Sequence, residues 1–304
     1  MTKSKITILM TVYNGERYIL DSLSSVFNQS FNNWSLLIID NNSNDNTKSI
    51  LEKIDDYRVK IIYLDKNISR VRALNLGVSK IDTELVAILD SDDIAASLWL
   101  EQALEFYSKN KSIGVISGWA KLIDKEGKIF RTLEAPHFPK KINELFSFTF
   151  PIVHSSTIFK LKLLQNINGP YDCKKLFGHD WDLMIKLSKI TPIVTLNLFW
   201  VYWRRYDESL TGNKNNSILG RLDKIANYQS GGKCSNNKFY LIKNRNRMAS
   251  EYLGLSILYL KKNEIKNFFK FLLLSIIKNP FAIVTNQKFL NFFKISPDFQ
   301  NKVK

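Results

Sequence analysis

Leu85-Val86-Ala87-Ile88-Leu89-Asp90-Ser91-Asp92-Asp93 is the stretch that decides how this chain is read. Five consecutive apolar residues fit a strand buried on both faces of a sheet, and the acids follow where that strand would leave it. Three carboxylates in one turn repel one another unless something positive sits among them. A hard divalent cation with oxygen ligands, carrying a phosphate-bearing substrate, meets that need. The alternative is that Ser91 or Asp93 caps a helix beginning near Ser97-Leu98-Trp99-Leu100, with the other acids complementing its dipole.

The same pairing of apolar run and polar end recurs towards the N-terminus. Residues 6–10 run into Thr11-Val12-Tyr13-Asn14-Gly15, residues 35–39 into Asp40-Asn41-Asn42-Ser43, and residues 59–64 into Asp65-Lys66-Asn67. Helical spacing lies between them, at Tyr18, Ile19, Ser22, Leu23, Val26 and Phe27, at Ile50, Leu51 and Ile54, and over residues 71–79. This alternation predicts an α/β fold, a mostly parallel sheet wrapped by helices. Ligands of such sheets bind outside the carboxyl ends of the strands, so the four polar clusters are expected to converge on one site. That convergence favours the cation reading of the acidic turn.

The bulk numbers bound the rest. The chain has 304 residues with 44 basic and 28 acidic side chains, a net charge of +16. Residues 1–211 hold 27 basic and 24 acidic side chains and residues 212–304 hold 17 and 4, so +3 belongs to the first part and +13 to the second. Such asymmetry points to an anionic surface met by the tail, lipid headgroups or nucleic acid. Cys173 and Cys234 lie far apart without metal-type spacing, which predicts a reducing, cytosolic setting. No signal peptide is read at the N-terminus. The apolar window 271–277 is far shorter than the roughly 18 residues of a membrane span, so no crossing is expected. Prolines, among them Pro136, Pro139, Pro151 and Pro170, loosen the pattern over 113–211, and residues 194–201 read as a further strand. The expected organisation is one domain over 1–211 in two halves, 1–112 and 113–211, the second holding a partner substrate. A polar connection over 212–232 and a basic helical extension to residue 304 follow.

No Walker-type loop, GxGxxG or GxSxG occurs, which leaves P-loop hydrolysis, nicotinamide chemistry and a serine elbow without support. The three histidines lack the spacing of a helical zinc pair. Gly178-His179-Asp180-Trp181-Asp182-Leu183 precedes an amphipathic helix, so Asp180 or Asp182 is either its cap or a carboxylate placed for general-base work beside a bulky Trp. Tyr202-Trp203-Arg204-Arg205-Tyr206 follows the last apolar run, and vicinal arginines suit a diphosphate.

Taken together, Thr11-Val12-Tyr13-Asn14-Gly15-Glu16, Asp40, Asn67 through Asn75-Leu76-Gly77, Asp90-Ser91-Asp92-Asp93 and His179-Asp180-Trp181-Asp182-Leu183 resemble, in order and spacing, the family 2 glycosyltransferases of the GT-A fold. The resemblance covers residues 5–211. It implies an inverting transfer of a sugar from a nucleotide diphosphate donor, most often a UDP-sugar, to a hydroxyl of a growing bacterial polysaccharide or lipopolysaccharide, free or lipid-linked. Thr11, Tyr13, Asn14 and Asn67 would line the nucleotide-sugar pocket and Asp40 would receive the base. Asp90 and Asp92 would form the DXD motif, with Asp92 on Mn²⁺ or Mg²⁺, Asp90 at the ribose or metal shell, and Asp93 as a supporting neighbour. Arg204 would face the diphosphate, and Asp180 would be the general base. His179 stands where the family often has Glu, and Tyr206 where it has a histidine. The expected setting is cytoplasmic with no nucleic acid as partner, and the basic tail reads either as a peripheral contact with anionic lipid on the inner face of the cell membrane or as a helical hairpin covering the catalytic domain. Two rival classes are a catalytically inactive relative acting as a scaffold and a basic nucleic-acid binder, although no zinc finger, RRM signature or basic zipper is present.

Overall fold

A computed structural model describes residues 4–137, 139–146, 149–175, 177–206, 218–232 and 237–281. The chain forms β1 (Ile6–Val12), α1 (Ile19–Phe27), β2 (Trp34–Asp40), α2 (Thr47–Leu51), β3 (Val59–Tyr63), α3 (Arg70–Lys80), β4 (Leu85–Ile88), β5 (Ile94–Ala95) and α4 (Trp99–Lys109). These are followed by β6 (Val115–Ile123), β7 (Ile129–Leu133), α5 (Pro139–Leu145), a 3₁₀ turn (His154–Ser156), β8 (Ile158–Lys160), α6 (Leu161–Gln165), α7 (His179–Leu187) and β9 (Ile193–Arg204). Three helices complete the described chain: α8 (Ile218–Gly231), α9 (Lys238–Lys261) and α10 (Ile265–Lys278). The chain divides into two compact units, residues 1–143 with 150–209 and residues 144–149 with 210–304.

In the first unit the strands form one sheet in the order β3-β2-β1-β4-β8-β6-β9-β5, with β7 on β6. Its first four strands are parallel, as the alternation predicts, and β6 and β9 are also parallel. β8 reverses the direction between the two halves. Strand β1 shows why residues 6–12 are nearly all apolar. Ile6, Ile8, Met10 and Val12 share one buried core with Ile19, Leu23 and Val26 of α1 and Trp99 and Leu100 of α4. Leu9 points the other way, towards α3, so both faces are covered. A Cβ on Gly77 would lie 2.3 Å from Leu9 Cδ1, so glycine lets α3 seat this closely on β1.

Two local readings are corrected. The helix after the acidic turn starts at Trp99, its N-cap is Leu98 with no side-chain cap bond, and β5 intervenes, so neither Ser91 nor Asp93 caps it. Pairing of Ile94 with Tyr202 and Ala95 with Val201 takes those residues into the sheet, a long-range preference that local pattern does not carry. The region expected as a polar connection, 212–232, holds α8 over Ile218–Gly231; residues 212–217 lie outside the described residues. In the second unit α8 is fixed through polar contacts to α9: Asn244 Nδ2 donates to the Tyr228 carbonyl at 2.7 Å, and Arg221 meets Glu251 at 2.7 Å. Buried Ile225 and Tyr228 complete the seam, an apolar stripe too thin to read as a helix by periodicity.

Candidate active site

Strand register sets out the floor of the site. Val12 pairs with Asp40 and Asp40 with Tyr63, while Leu9 pairs with Ile88, so the turns after β1, β2, β3 and β4 leave the same edge of the sheet. The expected convergence of polar strand ends is therefore present.

The loops after β1 and β2 are laced to each other. Asn14, in the left-handed region at φ 52°, donates its N–H to Ser43 Oγ at 2.9 Å, and Ser43 Oγ donates to Asp40 Oδ1 at 2.6 Å. Asn14 Oδ1 accepts from Asn44 N–H at 2.9 Å, and Gly15 N–H donates to Thr47 Oγ1 at 2.8 Å. Asp40 is 2% exposed, and its carboxylate holds this turn. Tyr13 is half exposed, and Thr11 is partly buried. Asn67 is exposed. The residue that clamps its loop is Asn41, whose side chain accepts from Ile68 N–H at 2.8 Å and donates to the Ile68 carbonyl at 2.5 Å. Asn41 stands in the quoted Asp40-Asn41-Asn42-Ser43 cluster, but nothing in the sequence says which amide faces the neighbouring loop.

The acidic turn is held from several sides. Asp93 N–H closes it on the Asp90 carbonyl at 3.2 Å, and Ser22 Oγ of α1 lies 2.9 Å from the Asp90 carbonyl and 2.5 Å from that of Asp93. Asp90 N–H donates to Ser155 Oγ at 3.1 Å. One carboxylate oxygen from each of Asp90, Asp92 and Asp93 lies within 4.8 Å of the others. Asp90 is paired with Arg70, Asp92 Oδ2 accepts from Tyr206 Oη at 3.0 Å, and Asp93 Oδ1 accepts from Arg204 N–H at 2.8 Å. Burial and the neighbouring Asp90 charge raise the Asp92 pKa, against the Tyr206 hydrogen bond and Arg70. Burial, Asp92 and Asp90 together push Asp93 well above the usual carboxylate range. The turn therefore carries surplus negative charge and offers only oxygen donors, a set that fits Mg²⁺ or Mn²⁺.

Arg204 does not reach out to a diphosphate, because its guanidinium is buried and taken up. Nε donates to the Asp92 carbonyl at 2.9 Å, Nη1 lies 3.4 and 3.3 Å from the carbonyls of Asp124 and Lys125, and Nη2 meets Asp21 at 2.9 Å. The guanidinium also covers the Tyr18 ring at 4.3 Å, and Tyr206 leans on the same ring at 5.2 Å. Arg204 braces the acidic turn from behind.

The cation that does face the acids is Arg70, at the start of α3, which the sequence reading missed. Although burial works against its charge, Asp90, Asp180 and Asp92 keep its pKa raised. Asp180 and the acidic turn thus share one electrostatic neighbourhood around Arg70. α3 places the far side as well: Asn75 Nδ2 donates to the Tyr171 carbonyl at 2.8 Å and Asn75 Oδ1 accepts from Tyr171 N–H at 3.0 Å. Asp180 lies in the first turn of α7 after Gly178, whose left-handed φ of 64° ends the preceding loop. Its Oδ1 accepts from Trp181 N–H at 2.8 Å, an amide of the same first turn. Asp182 is not in the cluster, being paired with Lys175 at 3.2 Å and Lys186 at 2.8 Å. Trp181 is buried against Phe150, a packing role.

Beside Asp180 sits an aromatic cluster that spacing could not suggest. His154 Nε2 lies 2.9 Å from Tyr171 Oη, and the His179 ring stands edge-on to both at 6.2 and 5.9 Å. His179 is 6% exposed, and neither ring nitrogen has a hydrogen-bond partner. Burial lowers its pKa to about 3, against the pull of Asp180.

Similarity to known proteins bears on this arrangement. The family description Glycosyl transferase family 2 matches residues 7–167. An uncharacterized glycosyltransferase of Haemophilus influenzae is 31% identical over 229 residues, 70% of this chain and 68% of that protein. Another, of Methanocaldococcus jannaschii, is 28% identical over 191 residues, 61% of this chain and 65% of that protein, so the chain spans about two thirds of the length of these curated relatives. The O-antigen biosynthesis glycosyltransferase WbnJ of Escherichia coli is 27% identical over 199 residues, 64% and 74% of the two chains. Among solved structures, S. aureus TarS 1–349 in complex with UDP-GlcNAc superposes with a TM-score of 0.58 at 17% identity, over 88% of this chain and 90% of that one. Mannosyltransferase PcManGT from Pyrobaculum calidifontis, in complex with GDP-Man and Mn²⁺, gives 0.56 at 14% identity, over 92% and 88%. At such identities the likeness is one of fold, the GT-A arrangement of the first unit's sheet.

Proposed function

The chain belongs to glycosyl transferase family 2, and on that premise we propose that it moves a sugar, with inversion, from a nucleotide diphosphate donor, first of all a UDP-sugar, to a hydroxyl of a growing cell-surface glycan. The observation that carries this reading is Arg70, ion-paired with Asp90 and within the electrostatic reach of both Asp92 and Asp180, beside a turn that gathers oxygen donors from three carboxylates. In this reading residues 1–211 are the catalytic domain and 212–304 a helical extension.

Thr11, Tyr13 and Asn67 line the nucleotide side. Asn14 and Asp40 act there through the turn they hold, which sets the height of the rim against which the base lies. Asp92 holds the divalent cation with Asp90 beside it, Asp93 and Arg204 fixing the turn from below. A bound Mn²⁺ or Mg²⁺ offsets the charge that grows on the departing diphosphate. Asp180 takes the proton of the acceptor hydroxyl as its oxygen bonds to the anomeric carbon; the bond from that carbon to the diphosphate oxygen breaks, its electron pair leaving with the nucleotide. A single displacement with the base opposite the leaving group inverts the centre.

UDP-GlcNAc in the TarS complex, GDP-Man with Mn²⁺ in the mannosyltransferase complex and the O-antigen role of WbnJ support the donor class, the metal and a polysaccharide product. A lipid-linked acceptor on the inner face of the membrane is part of the proposal. Among the described residues no helix is long and apolar enough to cross a membrane. The test is a screen of UDP-, GDP- and dTDP-sugars with Mn²⁺ or Mg²⁺, reading free nucleoside diphosphate, on the full chain and on Asp180→Asn. Metal-dependent release from one donor that falls by about 10² to 10⁴ in the variant is expected. Release that survives the substitution unchanged removes Asp180 from its role, and none from any donor argues for a scaffold.

A further inference from the structure

Helix α10 is apolar on two faces, and among the described residues only one of them is covered. Phe268, Phe271 and Ser275 are buried against α9: the Phe271 ring stacks on Tyr259 at 5.2 Å and on Tyr252 at 6.2 Å, and Ser275 Oγ donates to the Ala249 carbonyl at 2.9 Å. On the other face Ile265, Phe269, Leu273 and Ile277 follow one another at four-residue intervals and are 50, 61, 58 and 59% exposed. Leu255 of α9 and Phe268 are core, whereas Phe269 and Leu273 belong to this exposed stripe. A helix that is apolar nearly all round is ordinarily covered all round, so the stripe calls for an occupant.

Charge selects it. Lys266 and Lys270 are exposed on the same helix, one residue after Ile265 and Phe269, and residues 212–304 carry 17 basic against 4 acidic side chains. An anionic phospholipid leaflet has both an apolar interior for the stripe and phosphates for the lysines. A second copy would bring two strongly basic segments together, and a nucleic acid gives the stripe nothing apolar to enter. The helix has 14 residues, too few to span a bilayer, which leaves it lying in the surface plane.

We propose that α10 is an in-plane membrane-docking helix, with Ile265, Phe269, Leu273 and Ile277 inserted at the headgroup boundary of an anionic leaflet and Lys266 and Lys270 against its phosphates. This deepens the membrane side of the proposed function but requires neither donor nor acceptor, so its failure is distinguishable from failure of the transferase reading. The test floats the full chain with phosphatidylglycerol-containing vesicles and with pure phosphatidylcholine vesicles at physiological salt. Preferential flotation with the anionic vesicles is expected, with the bound fraction falling by about ten-fold or more in Phe269→Asp/Leu273→Asp while nucleoside diphosphate release in solution is retained. A chain that stays unbound, or a double variant that floats like the parent, overturns the proposal. So does a dimer, seen by light scattering, that the double variant dissolves, because the stripe would then belong to a second copy. Should the double variant fail to fold, Leu273→Trp decides: a blue shift of its added emission with anionic vesicles supports insertion, and an unchanged spectrum rules it out.

Discussion

Buried beside Asp180 and the His154–Tyr171 pair, the His179 imidazole stays neutral because desolvation outweighs the attraction of its acidic neighbour. Its folded-state pKa of about 3 lies below the ordinary 6.5, so between those values the unfolded chain binds a proton that the native chain does not. Stability is then present in full above pH 6.5 and falls as the pH drops, by about 1.4 kcal/mol per pH unit from this group. His154, also lowered by burial, acts in the same sense, whereas the raised Asp92 and Asp93 act in the opposite one. The measurement is therefore a difference, urea unfolding of the parent against His179→Gln from neutral pH to about pH 4. The gap is expected to close or reverse towards acid, because glutamine binds no proton in either state; parallel curves would mean that His179 is not held neutral. At this scale the acidic turn was legible, since four adjacent residues carry their own electrostatic argument. Arg70 was not, because an arginine opening a helix is ordinary until α3 brings it against Asp90.

At the scale of elements, the end of β9 and the turn after β4 depend on each other through Arg204. Its side chain supplies hydrogen bonds to the carbonyls of Asp92, Asp124 and Lys125, and little of it meets solvent. Arg204→Met strands those carbonyls and is expected to cost about 2–4 kcal/mol, read as a lower urea midpoint. Asp21→Asn removes only the partner of an ion pair that is half in water, and its cost is expected to stay within about 1 kcal/mol. A loss of donor affinity in Arg204→Met at unchanged stability would instead return Arg204 to the diphosphate. Apolar runs located the parallel strands of the first half to within a residue or two, because β1, β2 and β4 are buried on both faces and the edge strand β3 keeps three apolar residues half-buried. β5 and α8 were missed, since two residues paired to β9 and a helix seated by Asn244 and Glu251 owe their form to distant partners.

Over the whole molecule, the two units separate a nearly charge-balanced sheet from a strongly basic helical end. Hydrogen exchange is the measurement suited to this scale. With UDP and Mn²⁺ present, amides over 11–15, 40–46 and 90–94 are expected to slow, while those of α9 and α10 stay unchanged; protection confined to the helices would place the nucleotide in the wrong unit. The amino-acid sequence alone determined that a parallel sheet forms, that its polar ends share an edge and that the tail is cationic, because periodicity and net charge are sums over near neighbours. Tertiary structure decided which arginine faces the acids, that two histidines lie side by side in the interior and that, among the described residues, one apolar face of α10 is exposed. Those depend on contacts between residues up to more than a hundred positions apart, whose pairing is a property of how helices and strands cross rather than of any stretch of chain.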